Sequence, residues 1–313
     1  MHKKIITGVV IAVLLFSLAV AMAFMGNGER TAQKTAAGEK IAIVHIEGTI
    51  MSSSPGGFGN PAVAAADQIT RQLKEARENP DIKAVILKMN TGGGTVVGSD
   101  EIGREVERVR QSGKKVVVAM GEMAASGGYW ISCKADKIVA NPGTFTGSIG
   151  VIMQLTEMKD LFNKLGIEVK NIKTGAYKDM GSSNKELSPE EQEIFQSLVN
   201  DSYEDFVKVV AEGRKMDPVQ VRKLADGRIY TGKQAKQLGL VDALGDFDTA
   251  VQITAELAGI KGEPELIDMT GEQLLWQQIL GGLQGNTQLM PIPLEGLLLL
   301  PDKVAAPMNT NVE

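Results

Sequence analysis

The sequence is poor in the residues that build metal sites and disulfides. It has one cysteine, Cys133, and two histidines among 313 residues, so it can form no internal disulfide and no Cys/His zinc site. Because His2 lies at the extreme N-terminus, a Ser-His-Asp triad would depend on His45 alone. A nucleophilic enzyme built on this sequence would more readily use lysine as its base, and we expect neither a metal nor a cofactor.

The sequence also lacks an excess of positive charge. Its formal net charge is −5, so it has no broad cationic surface of the kind that nucleic-acid binding needs. Hydrophobic residues make up 43% and charged residues 23%, close to ordinary globular usage. These values exclude a wholly disordered chain and a membrane protein with many spans, and we expect no nucleic-acid partner.

One apolar run stands out at residues 5–25, which carry no charge and would span about 32 Å as a helix. Lys3 and Lys4 precede it, so the positive-inside rule predicts a cytoplasmic N-terminus at residues 1–4 and a transmembrane signal anchor at 5–25. The rest of the chain would then lie on the outer side of the cytoplasmic membrane. The alternative is a cleaved signal peptide, since Ala21-Met-Ala23 resembles a cleavage site.

Three regions follow the apolar run. Residues 26–40 are small and polar, typical of a flexible linker. Residues 41–263 alternate strand-like and helical patterns, which predicts one α/β domain with βαβ units and a largely parallel sheet. Residues 264–313 lose this rhythm and are predicted to form an apolar, proline-containing tail.

The elements of the α/β domain are assigned from the period of the apolar residues. Strands are predicted at 41–46, 84–89, 115–120, 137–140 and 167–172, and helices at 62–78, 99–111, 124–134, 159–165 and 246–257. Ser188-Pro-Glu-Glu191 has the pattern of a capping box with proline at the first helical position. It predicts the start of a long helix that ends near residue 214.

Glycine is enriched, with 35 residues, and two glycine-rich segments each follow a predicted strand. In Asn90-Thr-Gly-Gly-Gly94, uncovered backbone N–H groups could hold a phosphate or an oxyanion, although taken alone this motif is better explained as a tight strand-to-helix turn. In the second segment, Ser126 is flanked by Ala125 and Gly127, which leaves its Oγ accessible as a nucleophile. The alternative is that Ser126 only caps a helix. Parallel strands would bring both segments to one edge of the sheet, where ligands of α/β folds bind, and this favours a site.

Five motifs together resemble the short form of the signal peptide peptidase A family, in the Clp protease/crotonase superfamily. They occur in order and with compatible spacing over residues 41–260. The motifs are Asn90-Thr-Gly-Gly-Gly94, Met123-Ala-Ala-Ser-Gly-Gly-Tyr-Trp130, Thr146-Gly-Ser-Ile-Gly150, Lys173-Thr-Gly-Ala-Tyr-Lys178 and Asp226-Gly-Arg-Ile-Tyr-Thr-Gly232. One difference is Gly92, where the family usually has proline.

The resemblance implies a membrane-anchored serine endopeptidase with a Clp protease/crotonase-like fold. Its substrates would be released signal peptides and other short, unfolded apolar peptides. By position, Ser126 corresponds to the nucleophile, Lys178 to the general base and Ser148 to a hydroxyl that orients the lysine. Gly93 and Gly127 correspond to the oxyanion hole. The family also implies a homo-oligomer, and the domain duplication of its long form suggests that each short-form site is completed by a neighbouring subunit.

The chemistry of lysine limits where such a base can lie. Lysine has a pKa of about 10.4 in water, so it accepts a proton near neutrality only if desolvation lowers that value by several units. We therefore expect Lys178 to be buried by other segments, with the neighbouring Asp179 directed away from it. Sequence spacing alone leaves Lys173 and Lys185 as rival bases.

Two other functions are compatible with the same fold. A crotonase-like acyl-CoA enzyme would use an oxyanion hole but would need neither a serine nucleophile nor a membrane anchor. A non-catalytic, membrane-tethered scaffold would tolerate the loss of Ser126 or Lys178. The joint presence of both residues and of the apolar run favours the peptidase.

Overall fold

The computed structural model describes residues 39–54 and 63–270. The predicted anchor at 5–25, nearly all of the predicted linker and the tail from 271 lie outside these residues. Within the part of the chain that is described, no helix has the length and apolar character needed to cross a bilayer.

A largely parallel sheet runs through the domain, as the alternation of strands and helices predicts. Its strands are β1 (Lys40–Glu47), β4 (Ile82–Thr91), β5 (Lys115–Ala125), β6 (Lys137–Ala140), β7 (Phe145–Gly147), β8 (Ile229–Thr231), β9 (Ala243–Leu244) and β10 (Glu265–Asp268). The main order is β10-β1-β4-β5-β6-β9, and all of these pairs are parallel. The short strand β7 pairs with the end of β5 and carries β8 antiparallel on its other side. Two further strands, β2 (Thr49–Met51) and β3 (Val63–Ala65), pair with each other.

Helices cover the sheet on both faces. They are α1 (Ala66–Glu78), α2 (Val96–Gln111), α3 (Gly127–Ser132), α4 (Lys159–Lys164), α5 (Pro189–Arg214), α6 (Pro218–Leu224), α7 (Gly232–Gln237) and α8 (Phe247–Ala258). One face packs its buried side chains against α1, α2 and α3 in the larger core, which includes Leu73, Leu87 and Ile102. On the other face, Ile86 and Val117 lie in a smaller core with residues of α8. Strands β4 and β5 are therefore buried on both sides and form a rigid support for whatever follows their ends.

The long helix begins where its sequence signature predicts. Ser188 Oγ accepts a hydrogen bond from the Glu191 N–H at 3.2 Å, and the Glu191 carboxylate accepts from the Ser188 N–H at 3.1 Å. Pro189 occupies the first helical position, and the helix ends at Arg214. The predicted capping box and the end near residue 214 are both confirmed.

Two sequence predictions are wrong. Residues 167–172 form no strand. Their apolar side chains, including Ile167, Val169 and Ile172, are exposed to solvent. The segment has the apolar residues of a strand, but it pairs with no strand of the described sheet. Residues 265–268, which the sequence predicts to lie in the tail, form β10, which extends the sheet beside β1. Met269 follows it into the core, so the folded domain extends at least six residues past the predicted boundary at 263.

Candidate active site

The two glycine-rich segments lie side by side, as their positions after β4 and β5 predict. The β4–β5 register is regular to Met89 and Met120, and then skips so that Thr91 pairs with Ala124. Asn90 occupies the irregularity: its side-chain Oδ1 accepts a hydrogen bond from the Met123 N–H at 3.2 Å. The extra residues in β5 bring the segment before Ser126 against the end of β4.

Gly93 is the point of closest approach between the two segments. Its φ is +101°, a conformation that favours glycine. A Cβ at this position would lie 2.8 Å from the Ser126 Cβ and 2.7 Å from the Gly127 backbone nitrogen. Only glycine therefore allows the backbone after β4 to contact the backbone around Ser126 so closely.

Ser126 has an unusual backbone conformation between β5 and α3. Its φ is +52° and its ψ is −119°, a combination that costs about 1–3 kcal/mol for a residue with a side chain. Its N–H donates to the Gly147 carbonyl at 2.9 Å, and its carbonyl accepts from the Trp130 N–H. The Ser126 side chain makes no capping hydrogen bond to α3, so the interpretation of Ser126 as a simple helix cap is wrong. A sharp strand-to-helix turn of this kind presents a serine Oγ as a nucleophile.

A small cavity of about 100 Å³ opens beside Ser126 and Gly127. Its walls are mostly apolar. They include Val96, Trp130, Val151, Ile152 and Phe206. The Trp130 and Phe206 rings pack with their centroids 5.2 Å apart, so this wall joins α3 to the long helix α5. The cavity has the size and lining to accept an apolar side chain.

Ser148 lies next to Ser126, at the end of the neighbouring strand β7. Ala125 pairs with Gly147, so the two serines follow paired residues. Ser148 also has a positive φ, +49°. Its N–H donates to the Arg228 carbonyl at 2.8 Å, and the Tyr230 ring packs so closely over Gly147 that a Cβ there would overlap it. The Asp226–Gly232 motif thus forms β8 and its approach, and it fixes the strand that carries Ser148.

The two predicted oxyanion donors differ in their hydrogen bonding. Gly127 is the first residue of α3, so its N–H has no acceptor within the helix. The Gly93 N–H donates to the Thr91 Oγ1 at 3.0 Å. Gly127 thus has the N–H available beside Ser126, whereas Gly93 would first have to exchange its bond to Thr91.

Lys178 lies apart from these groups in the described chain. It is in an exposed turn, where its N–H donates to the Gly175 carbonyl at 3.3 Å. Within the described residues, its amine has no hydrogen-bonding or ion-pairing partner, and it is not within hydrogen-bonding distance of Ser126 Oγ. The burial that a lysine base requires is therefore not provided by the described residues of its own chain. The predicted orientation of Asp179 is observed, because its carboxylate binds Lys173 and Lys185 instead.

The structure thus brings together Ser126, Ser148, Gly93 and Gly127 and leaves Lys178 outside this group. The predictions from sequence missed Ser99, whose Oγ donates to the Thr95 carbonyl and lies where a Cβ on Gly127 would have to fit. They also missed the cavity wall formed by Phe206. No local pattern identifies these residues, because both approach the site from other elements of the fold.

Comparison with known proteins assigns this arrangement to a family. Residues 108–261, which include Ser126, Ser148 and Lys178, match peptidase family S49. A putative protease of Synechocystis sp. is 40% identical over 236 residues, which cover 75% of this chain and 80% of that protein. The chain belongs to peptidase family S49. It is therefore an enzyme of the peptidase class.

Two further relatives have informative names and lengths. A putative signal peptide peptidase SppA of Enterococcus faecium is 38% identical over 242 residues, 77% of this chain and 69% of that protein. Protease 4 of Salmonella typhi is 38% identical over 281 residues, 87% of this chain. The matched region spans only 43% of that longer protein.

Proposed function

We propose that the chain is a membrane-anchored serine endopeptidase that uses Ser126 and Lys178 as a catalytic dyad. The observation that carries the proposal is the turn at Ser126: a strained serine at a strand-to-helix junction, beside an uncommitted N–H and an apolar cavity. Backbone strain of this kind persists only where the surrounding structure enforces it, and it is concentrated at active sites.

In the proposed reaction, neutral Lys178 accepts the proton of Ser126 while Oγ attacks the peptide carbonyl. The Gly127 N–H, joined by that of Gly93, stabilises the oxyanion of the tetrahedral intermediate. Protonated Lys178 then gives its proton to the leaving amine, and an acyl-enzyme remains on Ser126. Water, deprotonated by Lys178, hydrolyses this ester and restores the serine. Ser148, next to Ser126, would orient the amine.

The proposed site is completed by a second copy of the chain. Lys178 is exposed and away from Ser126 in one protomer, and the segment around it carries many exposed apolar side chains, among them Ile152, Leu165 and Ile172. An apolar surface of this extent fits an interface between proteins. Packing of a neighbouring protomer against it would both desolvate Lys178 and bring it to a Ser126, so we propose a homo-oligomer with shared sites.

The proposed substrates are released signal peptides and other short, unfolded apolar peptides. The apolar walls beside Ser126 fit an apolar side chain next to the cleaved bond, and a cavity of about 100 Å³ has no room for a folded chain. A single N-terminal anchor at residues 5–25, with the N-terminus inside, would hold the peptidase domain at the outer side of the cytoplasmic membrane. Substrates left in the bilayer would then be close to the site.

Labelling with a fluorophosphonate probe tests the nucleophile directly. We expect the full-length wild-type protein in detergent to be labelled at Ser126, and the Ser126→Ala variant to remain unlabelled while keeping its secondary structure and oligomeric size. Labelling of both forms, or of neither, would contradict the assignment. Labelling of neither form would favour a crotonase-like acyl-CoA enzyme or a non-catalytic scaffold. A measurement of acyl-CoA turnover distinguishes these two, because only the first would show it.

A further inference from the structure

A charged cluster surrounds the residue that follows Lys178. The Asp179 Oδ1 accepts hydrogen bonds from Lys173 Nζ at 2.7 Å and from Lys185 Nζ at 2.9 Å, and its Oδ2 accepts from Asn171 Nδ2 at 3.2 Å. The Asp179 side chain retains only 13% of its exposure. Both lysines that the sequence left as rival bases are thus bound to one carboxylate.

The cluster is anchored to the long helix through Lys185. Lys185 Nζ also binds the Glu191 Oε1 at 2.5 Å, and the Glu191 side chain is 4% exposed. Glu191 is the capping-box residue whose other oxygen accepts from the Ser188 N–H. The position of Asp179 is therefore fixed by the first turn of α5 and does not depend on the exposed turn alone.

The arrangement matters because Asp179 is the direct neighbour of Lys178. A carboxylate that pairs with an ammonium group stabilises the protonated form and raises the pKa of the amine. A lysine that must accept a proton near neutrality therefore works best when this carboxylate has other partners. Lys173, Lys185, Asp179 and Glu191 together carry no net charge, and within the described residues no carboxylate binds Lys178.

The directions of the pKa shifts of Asp179 and Lys185 agree with the geometry of the cluster. The hydrogen bond from Lys173, followed by those from Lys185 and Asn171, holds the pKa of Asp179 well below its usual range. Hydrogen bonds to Glu191 and Asp179 raise the pKa of Lys185 above its usual value. Lys185 therefore stays protonated at neutral pH, which makes it unsuitable as a general base.

We propose that Lys173 and Lys185 are positioning residues for the proposed base: by occupying the Asp179 carboxylate, they leave Lys178 without a counter-ion among the described residues of its own chain. The inference rests on the proposed role of Lys178. It gives the two neighbouring lysines a function that is distinct from catalysis, since neither is required to contact substrate.

The test is the pH dependence of kcat/KM for a chromogenic apolar peptide, measured with the full-length oligomer. Lys173→Met and Lys185→Met each release one bond to Asp179, so the rising limb of the profile should move to higher pH by about one unit or more. Adding Asp179→Asn to either variant should return the midpoint to the wild-type value. Lys173→Arg should leave the midpoint at the wild-type value, because the guanidinium preserves the ion pair with Asp179.

Lys170→Met is the matched control, because Lys170 lies in the same segment and pairs with Glu168. Its midpoint should equal that of the wild type. A purely structural role for Lys173 and Lys185 would lower the rate at every pH, and Asp179→Asn would not restore it. If a methionine variant fails to assemble, Lys173→Gln and Lys185→Gln provide the same comparison.

Failure of this inference is distinguishable from failure of the proposed function. An inactive Lys178→Ala variant together with unshifted midpoints in the lysine variants would overturn the inference alone. Substantial activity in Lys178→Ala would remove the base itself, and the inference with it.

Discussion

Ser126 and Ser148 lie next to each other at the ends of two paired parallel strands, and both have a left-handed φ. The Ser126 N–H bonds to the carbonyl of Gly147, the residue before Ser148, at 2.9 Å. Ser126 and Ser148 are two of the three non-glycine residues with positive φ within the described chain. One hydrogen bond thus couples the backbone positions of the two serines. The backbone of residue 148 is therefore held at a fixed position relative to the proposed nucleophile.

Ser148→Ala should reduce peptide cleavage without abolishing it. The hydroxyl would orient the lysine amine but form no bond with substrate, so the loss in kcat should be smaller than the roughly 10²- to 10⁴-fold associated with general acid–base catalysis. Steady-state kinetics with the same peptide give the comparison, and Ser148→Thr should recover part of the rate. An unchanged rate in Ser148→Ala would remove this residue from the site.

Mixed oligomers test whether the dyad is shared between subunits. Ser126→Ala and Lys178→Ala should each lose about 10³-fold or more in kcat/KM when assembled alone. Co-expressed with two different tags and purified through both, the mixture should regain partial activity, since some interfaces then join an intact serine to an intact lysine. Doubly tagged oligomers that form but stay inactive would show that each dyad is built within one chain.

Gly93→Ala should destabilise the domain more than Gly113→Ala does. Both glycines have positive φ, +101° and +92°, but a Cβ at Gly113 meets no atom within 4 Å. Gly113→Ala should cost only the backbone strain, about 1–2 kcal/mol in the free energy of unfolding, whereas Gly93→Ala adds overpacking of about 1–3 kcal/mol. Urea unfolding measures the difference. Equal losses would mean that the approach of Gly93 to Ser126 is not close.

Acid should loosen the segment around Asp179 before the core unfolds. The folded-state pKa values of Asp179 and Glu191 lie below their ordinary values because of their bonds to lysine. Their stabilising contribution is therefore complete above the unfolded values of about 4 and is lost as the pH falls through the folded values. Hydrogen exchange should show protection of residues 171–187 at pH 5–7, and this protection should decline progressively as the pH falls below about 4. Asp179→Asn should lack this protection already at pH 7.

The sequence predicts those features that depend on local patterns. The Ser188 capping box and the alternation of strands and helices follow from short-range signals. The contact of Asn90 with the segment before Ser126 follows from the rule that the ends of parallel strands meet at one edge of the sheet. Residues 167–172 have a strand-like composition, but pairing depends on a partner that the composition cannot reveal. The bonds of Lys173 and Lys185 to one carboxylate likewise arise from the path of the chain. Sequence alone therefore leaves three lysines as rival bases.

The position of β10 affects the order in which the domain can be completed during synthesis. One edge of β1 pairs with β4 once residue 91 has been made, but its other edge waits for residues 265–268. For most of translation, the nascent chain therefore carries an unpaired strand edge, which is a template for aggregation. A chain that ends before residue 265 would keep this edge of β1 open, so we expect C-terminal truncations of the domain to aggregate.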